Sequence, residues 1–121
     1  MAKATPDAIL DAIADAIKAA VTQEVVCSAE PANFAGIAGV TLATSTFATG
    51  DMTKANGDVS GRKVAQTAKS AVSITASGTA THVVLASASV LLYVTTCTSQ
   101  ALTSGGTVTI PTWKIEIADP A

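Results

Sequence analysis

The sequence predicts a mainly β protein: a small antiparallel β-sandwich or barrel of about seven or eight strands, led by one N-terminal amphipathic α-helix. Three observations carry this expectation. From Phe47 onward, short runs of alternating apolar and polar residues recur, with turn residues about every 8–12 positions. Residue pairs that favour tight turns, Asn56-Gly57 and Gly105-Gly106, fall between such runs. One stretch, TPDAILDAIADAIKAAVT at 5–22, repeats instead with the period of a helix. On this basis the chain divides into a helix at 1–22, an irregular arm or linker with short strands at 23–46, and a β-sandwich domain at 47–121.

The helix comes first. Thr5 suits the N-cap, Pro6 the first helical position and Asp7 the first turn. Ile9, Ile13 and Ile17 form one stripe, and Leu10 and Val21 widen it on one side. Asp7, Asp11, Asp15 and Lys18 fall opposite, acids early and Lys late, as the helix dipole favours. A helix of about 15 residues is marginal alone in water, so so wide an apolar face calls for neighbours on two or three sides. Ile9, Leu10, Ile13, Ile17 and Val21 are therefore the candidate docking or self-association residues.

In the next segment QEVVCSA reads as a short strand, while AEPANFAGIAGVTLATST keeps neither period. FATGDMTKA and DVSGRKVAQTA read as a hairpin in which Asn56-Gly57 supplies the two positive φ angles of a type I′ turn. AVSITA at 71–76 sets Val72 and Ile74 on one face and Ser73 and Thr75 on the other. Ser77-Gly78 turns the chain into THVVLA and VLLYVTTCT, two further strands. Gly105-Gly106 marks a hairpin between QALTS and TVTI. WKIEIA closes the domain, with Trp113, Ile115 and Ile117 on one face and Lys114 and Glu116 on the other.

Composition narrows the function. Of 121 residues 49% are hydrophobic but only 3% aromatic, and 13% are charged, where about 25% is usual. A bland surface of Thr, Ser and Ala suits a protein packed against copies of itself. The net charge of −2 and the lack of a basic run argue against nucleic-acid binding. No apolar segment approaches the roughly 20 residues of a membrane span. Acidic residues after Lys3 break any signal-peptide core, so synthesis in the cytoplasm is expected.

No chemistry emerges from the motifs. Cys27 and Cys97 are far apart with no CxxC, and are expected to be small buried hydrophobes. His82 is the single histidine, with no ligand or triad partner at a useful spacing. Asp7, Asp11 and Asp15 read as a solvated helix face, and Asp51 and Asp58 flank a turn without calcium-loop spacing. Thr103-Ser104-Gly105-Gly106 lacks the Lys of a phosphate loop. Glu24, Glu30 and Glu116 are unpaired by context, and Trp113 and Tyr93 read as core anchors. Arg62-Lys63 is the one paired basic spot and a candidate partner contact. No catalytic, metal or cofactor residues are expected, and the chain reads as no enzyme.

The run at 58–120, with its SGRKV, SITASGTATHVVL, LLYVTTCTSQ and TVTIPTWKIEIADP, resembles small structural proteins of tailed bacteriophages and prophages of Alphaproteobacteria. ASASV at 86–90 departs from the likeness, standing where a charged, Gly-containing hairpin turn is expected. The resemblance implies a virion protein: a capsid decoration (cement) protein or head fibre, synthesised in the host cytoplasm and carried on the capsid surface. Its implied partners are the major capsid protein of a tailed phage and further copies of itself, with a trimer as the leading expectation. The alternative is a tail-fibre, receptor-binding or other tail-associated module. The resemblance carries no catalytic residues.

Overall fold

Two central strands buried on both faces decide the layering. The computed structural model of the protein describes residues 6–58 and 61–117. Its elements are helix α1 (Asp7–Ala20), β1 (Gln23–Cys27), short helix α2 (Phe34–Ile37), β2 (Thr41–Thr46) and a 3-10 turn (Thr49–Asp51). Then follow β3 (Met52–Asn56), β4 (Arg62–Gln66), β5 (Lys69–Ser73), β6 (Gly78–Ala86), β7 (Leu91–Leu102), β8 (Thr107–Ile110) and β9 (Trp113–Ile117). The described strands form three antiparallel sheets, ordered β2-β1-β6-β7, β3-β4-β9 and β5-β8. This is the mainly β sandwich with one leading helix that the alternation predicts.

The four-stranded sheet is the middle layer. On one face, Val26, Ala80 and Leu102 meet Val72 of β5 and Ile110 of β8. Leu85, on the same face, meets Met52, Val64 and Ile115 of the three-stranded sheet, together with Phe47. The other face, carrying Val25, Cys27, Val84 and Ala86, is closed by Ile37 of α2 with Phe34 and Val40 beside it. β1 and β6 are thus covered on both sides, which is why VVC and VVLA read as unbroken apolar runs. Each such buried Val or Leu contributes roughly 1.5–3 kcal/mol.

Several expectations need correction. Residues 23–46 are no irregular arm: β1 lies between β2 and β6 in the largest sheet. QEVVC is a strand as expected, but its partner β2 lies in the run that keeps neither period, so nothing local tied this segment into the sheet. Pro6, with ψ 140°, precedes the helix instead of opening it, and Thr5 lies outside the described residues. β3 and β4 do form the expected hairpin, from Met52↔Gln66 to Asn56↔Arg62. Its turn, however, is a longer loop in which Gly57 N–H donates to Gly61 C=O at 2.9 Å, and the positive φ of 68° falls at Gly61. Gly105-Gly106 turns the chain without making a hairpin. QAL continues β7 against β6, whereas β8 pairs with β5.

Candidate functional site

Helix α1 lies against the three-stranded sheet and directs one line of side chains inward. Leu10, Ala14 and Val21 are buried and Ile17 half-buried. Their spacing of 4, 3 and 4 residues keeps them on one side of a helix. Two acids of the flank are also engaged: Asp15 stays exposed as expected, whereas Asp11 is largely covered, and the Asp7 side chain lies outside the described residues. Asp11 accepts a hydrogen bond from Arg62 Nε at 2.8 Å, and Asp15 pairs with Lys54 Nζ at 2.9 Å. The Arg62 hydrogen bond, aided by its charge, holds the Asp11 carboxyl below the usual carboxylate range despite partial desolvation. At the far end of the helix, the Thr49 hydroxyl donates to the Lys18 carbonyl at 2.6 Å.

What the helix leaves outward is apolar. Ala8, Ala12, Ala16 and Ala19 are exposed, and Ile9 and Ile13 are 56% and 50% exposed. Of the five candidate docking residues, then, Leu10 and Val21 belong to the protein's own core and Ile17 sits at its margin. Ile9 and Ile13 face solvent. Val90, in the β6–β7 turn, is the other large apolar side chain exposed among the described residues. That turn holds no glycine or charge; the Ser87 hydroxyl closes it by accepting from the N–H groups of Ser89 and Val90 at 3.2 and 2.9 Å.

The Arg62-Lys63 pair is divided by the pleat of β4. Arg62 turns to Asp11 and to Asn56 Oδ1, the latter at 2.6 Å. Lys63 pairs with Asp58 at 2.6 Å, and Lys114 of β9 pairs with the same carboxylate. Glu116 accepts from the Asp58 N–H. Charges at this end of the sheet therefore cross-link the β3–β4 loop to β9.

Sequence reasoning missed Glu24. Its side chain is fully buried beside Leu85, on the core face of β1. Trp113 Nε1–H donates to its Oε2 at 2.8 Å, while Oε1 has no hydrogen-bond partner among the described residues. Desolvation pushes its pKa up to about 6, against the lowering effects of the Trp113 hydrogen bond and of Lys69. Tyr93 stacks on Trp113, with ring centroids 5.8 Å apart and planes 27° from parallel. In its satisfied orientation, the Gln66 amide nitrogen donates to the carbonyls of Trp113 and Val64 at 2.8 and 3.3 Å. Lys69 bridges to Asp51 at 3.0 Å and sits 5.4 Å from the Phe47 ring centre. The Ala48 N–H first, then Lys69, keeps the Asp51 carboxyl low.

The remaining reactive side chains stand apart. His82 Nδ1 lies 2.8 Å from the Thr81 hydroxyl, on a β6 position between Cys27 and Thr96. Cys27 and Cys97 are both free thiols, and they pack into clusters on opposite faces of the middle sheet. Burial raises both thiol pKa values, that of Cys27 to about 11. An apolar cleft of about 170 Å³ opens between β7 and the β8–β9 link, lined in part by Val83, Cys97, Ile110 and Pro111. Among the described residues, no three His, Cys, Asp or Glu gather closely enough to hold a metal ion. No described helix is long and apolar enough to cross a membrane.

No protein-family model matches this chain, and neither a curated protein nor a solved structure matches it.

Proposed function

We propose that this chain is a non-enzymatic virion structural protein, a capsid decoration protein that binds the assembled shell of a tailed phage and stabilises it. The observation that supports this reading is the outward face of α1. Ile9 and Ile13 are at least half exposed on an Ala-lined surface, while Asp11 and Asp15 on the flank engage Arg62 and Lys54. An apolar crest, bordered by the exposed Asp15, on a helix anchored to a rigid β body suits attachment, either to the shell or to symmetry-related copies in a trimer. Stabilisation then follows from mass action. A ligand that binds the assembled shell but not free subunits adds RT ln(1 + [L]/Kd) per site, and many weak sites add up.

Quantitative mass spectrometry of purified virions tests the reading. A simple ratio of this chain to the major capsid protein is expected. A few copies per particle would move it to the tail, and absence would overturn the virion role. On emptied shells, Ile9→Asp/Ile13→Asp is expected to reduce decoration at least tenfold with the fold intact. Undiminished occupancy by that variant would remove the helix from the mechanism.

A further inference from the structure

Lys69 has two carboxylates within reach of its charge, one outside the core and one inside it. Outside is Asp51, 3.0 Å from Lys69 Nζ, in a pair whose side chains are 24% and 26% exposed. Inside is Glu24, whose side chain no solvent reaches. Across the middle sheet, Ser45, Glu24, Leu85 and Tyr93 form one row. Trp113 closes one end of this row, stacking on Tyr93 and donating to Glu24 Oε2. β5, which begins at Lys69, packs across β2 at the other end, where Ala43 bridges to Ile74. The Lys69 ammonium lies over the ring of Phe47, which packs in the same cluster as Leu85. Between these ends, Glu24 Oε1 has no hydrogen-bond partner among the described residues.

The other neighbours of Glu24 offer it no counter-charge. Gln66 on the core face of β4, the Tyr93 phenol, the Trp113 indole, and Ala14 and Val21 of α1 are neutral. The charges of α1 lie on its polar flank, where Asp11 and Asp15 pair with Arg62 and Lys54. Lys114 and Glu116 alternate to the opposite face of β9 from Trp113 and Ile115. Lys69 therefore favours ionisation of Glu24, and Asp51 opposes it. A partly solvated ion pair such as Lys69–Asp51 contributes little, because water competes for both charges. A buried carboxylate without a counter-charge is strongly disfavoured. The flexible four-carbon stem of Lys69 lets the stronger demand decide where its ammonium goes.

We propose that Glu24 and Lys69 form a proton-operated switch: with Glu24 protonated Lys69 stays on Asp51, and with Glu24 ionised the Lys69 ammonium turns inward to Glu24 Oε1 and releases Asp51. The Glu24 proton goes to solvent and Lys69 stays charged throughout, so one proton is given up each time the switch turns. Asp51 then keeps the Ala48 N–H at 2.9 Å and the Thr67 hydroxyl at 3.3 Å. It closes the 3-10 turn whose Thr49 hydroxyl holds the Lys18 carbonyl, so the state of Glu24 reaches the last turn of α1. Burial places the Glu24 pKa at about 6, so the switch turns between mildly acidic and neutral solution. It is a property of the isolated chain and needs no virion.

NMR titration of the full chain, from about pH 4.5 to 8, tests the switch. The Glu24 carboxyl carbon and the single indole N–H resonance of Trp113 are expected to move together, with a midpoint near 6. Over the same step, the nuclear Overhauser contacts of the Lys69 ε-protons should pass from the Asp51 β-protons to the Glu24 γ-protons. In Glu24→Gln those contacts should stay with Asp51 at every pH. Lys69→Met, which keeps most of the stem and removes the charge, should raise the Glu24 midpoint by about one pH unit. Lys69 remaining on Asp51 while Glu24 titrates would overturn the proposal. So would a Glu24 carboxyl that does not titrate in this range, or a midpoint unmoved by Lys69→Met. A transfer of Lys69 contacts that occurs equally in Glu24→Gln would also sink it, because Glu24 would then not be the trigger.

Discussion

Glu24 makes the stability of the fold depend on pH. Its carboxyl titrates near 6 when folded, against 4.5 for the free side chain. The folded state therefore holds the proton more tightly than the unfolded one. The contribution is fully present below about pH 4.5 and is lost as pH rises through 6, the loss reaching about 2 kcal/mol at neutrality. Glu24→Gln keeps an acceptor for the Trp113 N–H and removes the buried charge. It is expected to raise the urea midpoint at pH 7.5 and to flatten the loss expected of the wild-type chain between pH 5 and 7. Parallel pH profiles for the two chains would mean that Glu24 does not titrate in that range. In the sequence Glu24 looks like any surface acid. The signal was its position in QEVVC, one step of alternation from Val26, but it counts only once β1 is known to be covered on both faces. Arg62 was hidden in the same way, since its partner Asp11 is 51 residues away.

At the level of elements, the helix was legible from its period, but its orientation was not. The Ile9–Ile13–Ile17 stripe is as apolar as the Leu10–Ala14–Ile17–Val21 line, and the two overlap. The choice between them rests on pairs formed across the fold, Asp11 with Arg62 and Asp15 with Lys54. Substitution separates the two roles. Leu10→Ala is expected to cost about 2–5 kcal/mol, as a buried truncation does. Ile13→Ala, at a half-exposed site, is expected to change the stability of the monomer by no more than about 0.5 kcal/mol. Thermal denaturation of both variants at low protein concentration measures the difference, and equal losses would place Ile13 in the core. Deleting residues 1–22 is a poorer test of attachment, because Ala14 and Val21 share a core cluster with Phe47 and Val64. Strand alternation was readable at Val72/Ile74 and at Trp113–Ile117, where one face is wet. It failed at β2, inside a run that keeps neither period, and the pairing of β8 with β5 lay beyond any local signal.

The whole molecule is a four-stranded sheet with both smaller sheets on one face and α2 on the other, and a leading helix that bears an apolar crest. The hydrogen bond between Trp113 and Glu24 has a further consequence, in time. It joins residues 89 positions apart, so β1 leaves the ribosome long before the strand that completes its surroundings exists. Most of the chain must wait, unsealed, until β9 has been made. Folding that depends on so distant a meeting is slow, on the order of milliseconds to seconds. Trp113 is the sole tryptophan, and in stopped-flow refolding its fluorescence is expected to change in the last, slowest phase. A burst of native-like emission within the mixing time would mean that the two ends find each other first, and the chain would then be closing from its termini inward.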